Sequence, residues 1–410
     1  MAAETSAPRT FLVLSQVYVP DEASVGQHMH DAAAEMVRRG WRVRVLASGR
    51  GYEDPSRRYA RREQIDGVDV RRFPLSSFGK ASIGRRLLGG ALFLLQATIY
   101  ALFAGRIHGI LVSTSPPMCG IAGTVLSALK RAPVKFWAMD INPDQLVAVG
   151  KIGERSLPAR LFDLINRAIL RRSSDVIALD RFMSATLERK TAITGKTSII
   201  PPWPHIDGID EALPHEENPF RAKHDLAGRF VVMYSGNLSP THPVTTILQA
   251  ALRMQDRKEL LFLFVGGGLG KQEIARFVEQ HQPTNIRLLS YQPLSELRYS
   301  LSSADVHLVS MGNEMVGVVH PCKIYGAMAV GRPILMLGPR PCHVSDILDD
   351  YDVGWQIEHG DVDGAVSCLE RILATDATAL LQKGRRAQQA VAERFGRERL
   401  CGCFCDVLER

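Results

Sequence analysis

The sequence lacks the features that would place it outside the ordinary globular proteins. It has no Gly-Ser linker, no heptad repeat and no short-period repeat, which argues against a coiled coil, a solenoid or a flexible tether. Its first residues carry no apolar leader of the kind that directs secretion, so we expect a cytoplasmic protein. At 410 residues, 46% of them hydrophobic and 23% charged, the chain is long enough for two domains with separate cores.

Cysteines are few, and their scattered positions argue against a disulfide framework. Seven are scattered over the chain, and none belongs to a Cys or His pair with zinc-site spacing. Cys401, Cys403 and Cys405 alternate, a pattern that suits two metal ligands at most. We therefore expect reduced thiols and no metal on these cysteines.

Acidic residues are scarce in the first half of the chain. Residues 1–200 contain 29 lysines and arginines against 17 acids, whereas the remaining residues contain 21 against 26. This excess of positive charge favours an anionic surface or substrate for the first half. No nucleic-acid-binding motif accompanies the charge, so a nucleic acid is not expected as a partner.

Residues 311–337 are the stretch around which the chain is organised. Strands are predicted on either side, over 304–309 and 333–337, with one short helix between them. Pro321 suits the first position of that helix and Lys323 its first turn, so free N–H groups, the helix dipole and a lysine favour an anionic phosphate group. An ordinary strand-helix-strand unit with a surface lysine is an equally good interpretation of the local pattern.

Two further strands in the second half end in glycine turns. The strand over 229–235 leads into Gly236, and the strand over 260–265 leads into Gly266, Gly267 and Gly268. In a parallel sheet both turns should lie on one edge, together with the turn before Lys323, which predicts a nucleotide site. Loops that only need a positive φ remain an alternative for each turn.

Polar side chains also follow a strand in the first half. The strand over 134–139 delivers Asp140, Asn142 and Asp144 to the carboxyl edge of the sheet, where ligands of open α/β sheets bind. Two carboxylates and an amide could hold sugar hydroxyls or take a proton from an acceptor hydroxyl. Capping of the next segment is the alternative role for these side chains.

The Pro-rich stretch 198–204 marks the predicted domain boundary. We expect a disordered N-terminus over 1–10, a first domain over 11–202 and a second over 203–390. A last helix over 391–410 should pack back toward the first domain. Gly26 is placed just before a helix predicted over 29–39, where a ligand phosphate or a facing backbone could approach it closely.

Residues 87–104 run without a charge between Arg85-Arg86 and Arg106. Their length is at the lower limit for a membrane span, and glycines and polar residues interrupt the run. Two interpretations remain open: a crossover helix buried in the domain, or a helix that lies on a membrane surface with its apolar face exposed. In the second case Phe93 is expected to contact lipid.

Three motifs together are similar to a known family. They are Tyr-Ser-Gly-Asn-Leu at 234–238, Phe-Val-Gly-Gly-Gly at 264–268 and His-Pro-Cys-Lys-Ile-Tyr-Gly-Ala-Met-Ala-Val-Gly-Arg-Pro-Ile-Leu at 320–335. With Gly26 they resemble retaining glycosyltransferases of the GT-B fold, most closely the family 4-like enzymes of bacterial polysaccharide assembly. The resemblance implies an α/β protein of two Rossmann-like domains with parallel sheets facing across a cleft. It also implies a nucleotide-sugar donor on the second domain, an acceptor on the first, and no required metal or other cofactor.

The motifs and the resemblance together give the candidate site residues. The candidate catalytic residues are Asp140, His320 and Lys323, and the candidate acceptor contacts are Asn142 and Asp144. The candidate donor contacts are Gly26, Gly236, Asn237, His242, Gly266, Gly267, Gly268, Pro321, Cys322, Lys323 and Tyr325.

The sequence departs from the family pattern at four positions. Val318 and Gly326 stand where much of the family has two glutamates, and neither can bind a hydroxyl through its side chain. Asn237 and His242 stand where many relatives hold the diphosphate with an arginine and a lysine. We infer that Lys323 and the terminus of the helix after it have taken over the diphosphate.

The expected function is therefore retaining transfer of a sugar from a nucleotide sugar to a lipid-linked or glycan acceptor in surface glycan biosynthesis. An anionic membrane surface is the expected additional partner, which would put the protein on the inner face of the membrane. The alternatives are a nucleotide-sugar epimerase or hydrolase of the same fold, or a catalytically weak homologue that serves as a binding subunit.

Overall fold

The computed structural model describes residues 8–21, 23–51, 54–77, 83–206 and 213–410, apart from the side chains of Ile83 and Arg86. Most of the predicted disordered segment 1–10 lies outside these residues, and Thr10 already belongs to a strand. The chain divides into two compact units. Unit 1 comprises residues 1–202 and 398–410, and unit 2 comprises residues 203–397.

Unit 1 is built on an eight-stranded sheet in the order β3-β4-β2-β1-β5-β6-β7-β8, parallel except for the β3–β4 pair. The strands are β1 Thr10–Leu14, β2 Arg42–Ser48, β3 Arg62–Ile65, β4 Val68–Phe73, β5 Gly109–Ser113, β6 Val134–Trp137, β7 Asp175–Ala178 and β8 Thr197–Ile199. Its helices are α1 Ser24–Arg38, α2 Ile83–Leu102, α3 Cys119–Lys130, α4 Asp144–Ala148, α5 Leu157–Arg172 and α6 Arg181–Lys190. Central strand β5 is buried at every position and β1 at every position after Thr10, as expected for a sheet covered on both faces.

Helix α1 begins at Ser24, five residues before the predicted start. Gly26 therefore lies inside the first helical turn, and the prediction that it precedes the helix was wrong. The turn packs so closely on the preceding loop that a Cβ at Gly26 would come within 3.1 Å of the Tyr18 Cα. Glycine is thus favoured here, because a side chain would force the helix and the loop a few tenths of an ångström apart.

Helix α2 covers the uncharged stretch and is buried on one side only. Phe93, Ala97 and Ala101 are fully buried against the sheet, where the Phe93 ring packs edge-on against Phe73 at 6.2 Å. The opposite side exposes leucines and isoleucine to solvent. The expectation that Phe93 contacts lipid was therefore wrong. In the part of the chain that the structure describes, no helix has the length and hydropathy of a membrane span.

Helix α15 Arg397–Glu409 completes unit 1. Phe404 inserts against Trp137 with ring centres 4.9 Å apart, and the Cys405 thiol donates to the Ala32 carbonyl at 3.6 Å. Arg39 donates to the Asp406 and Glu409 carboxylates at 2.7 and 2.8 Å. Residues 391–395 do not belong to this helix, as they extend the preceding helix of unit 2 by a π-helical turn.

Unit 2 is built on a six-stranded parallel sheet in the order β11-β10-β9-β12-β13-β14. The strands are β9 Phe230–Ser235, β10 Leu260–Val265, β11 Ile286–Leu289, β12 Val306–Ser310, β13 Ile334–Leu337 and β14 Gly354–Ile357. The helices are α7 Pro219–Lys223, α8 Thr245–Arg253, α9 Leu269–His281, α10 Leu297–Ser302, α11 Lys323–Ala329, α12 His343–Tyr351, α13 Val362–Ala374 and α14 Ala377–Ala390. Two parallel α/β units confirm the predicted fold class.

Helix α11 is shorter than the sequence suggested. It begins at Lys323 with Cys322 as its N-cap residue, so Pro321 lies before the cap and not at the first helical position. Seven residues are about two turns, and a helix of that length contributes little dipole. Any attraction for an anion at this point must come mainly from the charge of Lys323.

Candidate functional site

The two glycine turns of unit 2 lie against each other at the carboxyl ends of β9 and β10. The Gly236 N–H donates to the Val265 carbonyl at 2.8 Å, and a Cβ at Gly266 would lie 2.0 Å from the Gly236 oxygen. Gly236, Gly266 and Gly268 have φ values of 127°, 143° and 104°, which side-chain-bearing residues rarely adopt. Backbone contact and backbone conformation therefore both require glycine in this pair of turns.

Lys323 extends over the first of these turns. A Cβ at Gly236 would lie 2.8 Å from the Lys323 Cε, and the Lys323 ammonium is 5.2 Å from the centre of the Tyr234 ring. Among the described residues, no carboxylate lies within ion-pair distance of this half-buried ammonium. The site therefore holds a positive charge that no described residue neutralises, which is the requirement for an anion site.

The turn also offers free donors beside that charge. Within the described residues, the backbone N–H groups of Asn237, Gly267 and Gly268 donate to no other group, so each is available to a ligand or to water. The Tyr234 hydroxyl donates to the Asn237 carbonyl at 2.8 Å and fixes the turn. Lysine, three N–H groups and a fixed turn form what we call the glycine cradle: residues 236–237, 266–268 and Lys323.

His242 lies beside the cradle and is uncharged at neutral pH. Burial, and secondly the nearby Lys323 charge, lower the pKa of His242 well below its usual value. Its Nδ1 lies 3.0 Å from the Thr241 hydroxyl, which holds the ring in place. His242 can therefore exchange hydrogen bonds with a ligand but adds no charge, so Lys323 carries the electrostatics.

The remaining candidates of unit 2 form a network around α11. The buried Tyr325 hydroxyl lies 2.9 Å from His320 Nε2 and 2.7 Å from His343 Nε2. The Tyr325 hydroxyl therefore contacts both imidazoles and holds the two rings in place. Cys322 is half-buried and its thiol donates to the His320 carbonyl at 3.3 Å.

Unit 1 places Asp140 beyond the end of β6, beside a small pocket. The Asp140 N–H donates to the Thr114 hydroxyl at 3.2 Å, but its carboxylate accepts no hydrogen bond from the described residues. Burial raises the pKa of Asp140 to about 6. The carboxylate is thus ionised at pH 7, desolvated and able to accept a ligand proton or hydrogen bond.

Asn142 and Asp144 differ in what they can offer. Asn142 lines the same pocket as Asp140, and its carbonyl accepts from the Asn166 amide at 3.2 Å. Asp144 instead lies 2.7 Å from the Lys190 ammonium, which also binds Asp163 at 2.8 Å. The Asp144 charge is neutralised within unit 1, so the structure brings together Asp140 and Asn142 but not Asp144.

Comparison with known families identifies this arrangement. Residues 24–203 match the family described as "Glycosyl transferase 4-like domain", and residues 216–390 match "Glycosyl transferases group 1". The two matches cover most of both units. The chain belongs to the GT-B glycosyltransferases.

Two curated relatives agree with this assignment. The glycosyltransferase is 23% identical over 402 residues to the putative colanic acid biosynthesis glycosyl transferase WcaI of Escherichia coli, covering 93% of this chain and 95% of the relative. It is 23% identical over 336 residues to the probable glycosyltransferase WbjE of Pseudomonas aeruginosa, covering 81% and 84%. The chain is therefore an enzyme of glycan biosynthesis, which confirms the predicted enzyme class.

Solved structures show the same fold along the whole chain. Sucrose-phosphate synthase from Thermosynechococcus elongatus is similar with a TM-score of 0.77 at 16% identity, covering 97% of the glycosyltransferase and 98% of that chain. Anabaena HepE, in complex with UDP and glucose, is similar with a TM-score of 0.71 at 15% identity, covering 98% and 99%.

The sequence did not point to Tyr234 or His343. Tyr234 supports both the Lys323 side chain and the Asn237 turn, although it is buried within β9. The sequence signal that could have identified Tyr234 is its position two residues before Gly236, at the end of a strand that leads into the glycine turn. His343 lies eighteen residues after Tyr325, and no local pattern connects the two.

Proposed function

We propose that this glycosyltransferase transfers a sugar, with retention of anomeric configuration, from a nucleoside diphosphate sugar to an acceptor hydroxyl. Unit 2 binds the donor at the glycine cradle, and unit 1 binds the acceptor at Asp140. The observation that carries the proposal is the Lys323 ammonium, unpaired among the described residues and placed beside three free backbone N–H groups.

The cradle fits the charge that develops when the donor bond breaks. The leaving nucleoside diphosphate gains negative charge on its phosphate oxygens, and an unpaired ammonium with fixed N–H donors stabilises that charge without reorganisation. The glycine turns let the phosphates approach the backbone closely. Since His242 is neutral, Lys323 supplies the charge that two cationic side chains supply in many members of the family.

The acceptor half of the proposal depends on Asp140. Its ionised carboxylate lies beside a pocket and accepts no hydrogen bond within the described residues, so it can receive one from an acceptor hydroxyl. That interaction orients the oxygen for attack. Asn142, on the rim of the same pocket, can bind a neighbouring hydroxyl.

Uridine is the proposed base of the donor nucleotide. Support comes from HepE, which is described in complex with UDP and with UDP-glucose and shares the fold along 99% of its length. Calorimetric titration of the full chain with UDP, GDP, ADP and CDP tests the choice. UDP should bind most tightly, and Lys323→Met should weaken binding at least tenfold, whereas the exposed Lys258→Met should not. Equal binding of UDP by the wild type and Lys323→Met would contradict the donor site.

Unit 1 further carries a surface suited to a lipid-linked acceptor. Helices α2, α3 and α5 pack side by side, and each exposes large apolar side chains. This three-helix face consists of Leu88, Leu95, Ile99, Leu102, Phe103, Val125, Leu129, Leu157, Leu161 and Leu164. Phe103 and Leu157 are 85% and 80% exposed, and an apolar surface of this extent marks an interaction site.

The charge around the three-helix face selects an anionic bilayer as its occupant. No aspartate or glutamate occurs between Asp69 and Asp140, a segment that includes all of α2 and α3. Exposed arginines lie at the ends of these helices or on α5, among them Arg85, Arg106 and Arg160. Each basic residue near an anionic surface gains about 1 kcal/mol, and the leucines gain by entering the headgroup region. We therefore place the enzyme on the anionic cytoplasmic leaflet, with unit 1 toward its acceptor.

A further inference from the structure

We infer that the acceptor sugar carries an acetamido group, and that the pocket beside Asp140 binds the acetyl part of that group. The inference deepens the acceptor site proposed above and rests on it. The substrate class is a 2-acetamido-2-deoxyhexose whose reacting hydroxyl is held at Asp140.

The buried Ser113 hydroxyl lines the pocket but is engaged with the Ser115 backbone, and the other inner walls are apolar. They come from four elements of unit 1: Cys119 at the start of α3, Phe136 on β6, Phe162 and Ile169 on α5, and Leu187 on α6. Cys119, Phe136 and Leu187 are at most 3% exposed, so these walls are fixed parts of the core. A group that enters must be small and carry a methyl or similar apolar end.

The volume of the pocket limits the entering group further. It measures about 40 Å³. At roughly 10–15 Å³ for each water-sized occupant, the pocket has room for about three heavy atoms. An acetyl group has three heavy atoms, whereas a hydroxyl leaves most of the space empty and a sugar ring does not fit.

The rim of the pocket has the polar groups that an amide needs. Asn142 and Asn166 both line it, and each has a side-chain amide that can donate to an acetyl oxygen. Asn166 already donates one N–H to the Asn142 carbonyl at 3.2 Å and has a second one. Asp140 lies on the same rim and holds the adjacent hydroxyl. A mostly apolar interior with amide and carboxylate groups at its mouth matches a 2-acetamido sugar better than a 2-hydroxy or 2-amino sugar.

The pocket is also built with a strained residue at its edge. Met118, which lines it, has a φ of 73° in the left-handed region, directly before α3. For a side chain of this size that conformation is costly, and such residues occur mainly where function holds them. The φ of Met118 thus agrees with a binding role for this corner of unit 1.

Binding of simple acceptor analogues tests the inference without any transfer reaction. The probes are octyl glycosides of glucose and galactose, each in its 2-acetamido, 2-amino and 2-hydroxy form, titrated against the full chain. At least one 2-acetamido probe should bind about tenfold more tightly than its 2-amino and 2-hydroxy forms, since filling or leaving a pocket of this size changes affinity by that order. Equal affinity of the three forms in both series would overturn the inference.

Phe162 provides a paired test because it is only partly buried. Phe162→Trp should fill the pocket and abolish the acetamido preference, and Phe162→Ala should transfer the preference to 2-butanamido probes. The matched controls are Phe182→Trp and Phe182→Ala, at a partly buried phenylalanine outside the pocket. Control variants that change the preference in the same way would also overturn the inference.

The outcome separates this inference from the proposed function. Transfer to 2-hydroxy and 2-acetamido acceptors at equal efficiency would disprove the acetamido pocket and leave the glycosyl transfer intact. Acetamido-selective binding without transfer from any nucleotide sugar would instead leave the pocket and remove the proposed reaction. Thermal melting of the Phe162 variants reports whether unit 1, which contains Phe162, is still folded, and their UDP affinity reports whether the donor site of unit 2 is intact.

Discussion

The ammonium of Lys323 lies 5.2 Å from the centre of the Tyr234 ring. A cation over an aromatic face at this distance is stabilised by about 0.5–2 kcal/mol, depending on its exposure. Tyr234 therefore holds Lys323 in position without neutralising it, as a carboxylate would. The charge remains available to a phosphate group.

Lys323→Ala should lower kcat by about 100-fold or more at saturating donor, the typical loss for a group that stabilises developing charge. The variant should lose at most about 2 kcal/mol of unfolding free energy, because it loses the cation–π contact with Tyr234 but no described ion pair. Initial rates at several donor concentrations measure the effect, with Lys258→Ala as the control. Full activity of Lys323→Ala would show that the lysine is an ordinary surface residue.

Gly266→Ala should abolish donor binding, because the new Cβ would lie 2.0 Å from the Gly236 oxygen and would push the two turns apart. Gly360→Ala is the matched control: Gly360 also has a positive φ, 86°, but no atom lies within 4 Å of its would-be Cβ. The control should lose only about 1–2 kcal/mol of unfolding free energy and keep its UDP affinity. Calorimetry and thermal melting of both variants measure the difference. A Gly266→Ala enzyme that still binds UDP would disprove the cradle.

The activity should fall below pH 6, because burial raises the pKa of Asp140 to about 6 and only the carboxylate accepts a hydrogen bond. In the pH profile of kcat/KM, the acidic limb should drop about tenfold per pH unit and should be missing in Asp140→Asn, which is slow at every pH. An unchanged acidic limb in that variant would assign the limb to another group.

The free energy of unfolding should also depend on the protonation of Asp140, but it should rise as the pH falls, whereas the activity should fall. The folded-state pKa is above the unfolded value of 3.8, so burial of the charged form destabilises the fold above pH 6. That penalty should diminish between pH 6 and pH 4 as the folded protein takes up the proton. The stability gain of Asp140→Asn over the wild type should therefore be largest at pH 7–8 and should vanish near pH 4. Denaturant unfolding at four pH values measures it, and a gain that is independent of pH would refute the buried charge.

The enzyme should bind vesicles that contain anionic lipid and leave them at high salt, since the arginine contribution is screened. Replacing Leu95, Ile99 and Phe103 by serine should weaken binding and activity on a lipid-linked acceptor but should spare UDP binding. Serine at Leu269, Leu294 and Leu381, exposed leucines of unit 2, is the matched control. Co-sedimentation at two salt concentrations reports the result. If the wild-type enzyme does not bind the vesicles at low salt, the three-helix face has another partner.

The α/β fold and the glycine turns could be predicted from sequence because their signals are local. The strand Leu260–Val265 is an unbroken apolar run stopped by three glycines, and it is buried at every position. The start of one helix and one whole strand escaped prediction for equally local reasons. Helix α1 begins at Ser24 without a side-chain cap, and β3 Arg62–Ile65 is a half-exposed edge strand with a polar sequence.

The candidate site was predictable only where neighbouring parallel strands determine it. Gly236 and Gly266 had to meet, because β9 and β10 are adjacent and parallel. The Asp144–Lys190 ion pair and the Tyr325–His343 contact join residues that no sequence pattern relates. The exposed side of α2 could not be predicted either, because the helix is apolar on nearly all sides and its period could not show that Phe93 points inward.

Because α15 packs on unit 1, unit 1 cannot complete its fold until the end of the chain has been synthesised. Domains usually fold as they emerge from the ribosome, and translation adds about 5–20 residues per second. Unit 1 would therefore wait roughly 10–40 s while residues 203–397 are translated. During that time Trp137 lacks Phe404, and Arg39 lacks its two carboxylate partners on α15. During synthesis, unit 1 is therefore incompletely folded and exposes the apolar site that Phe404 later fills. Until α15 is made, a chaperone would have to protect that site.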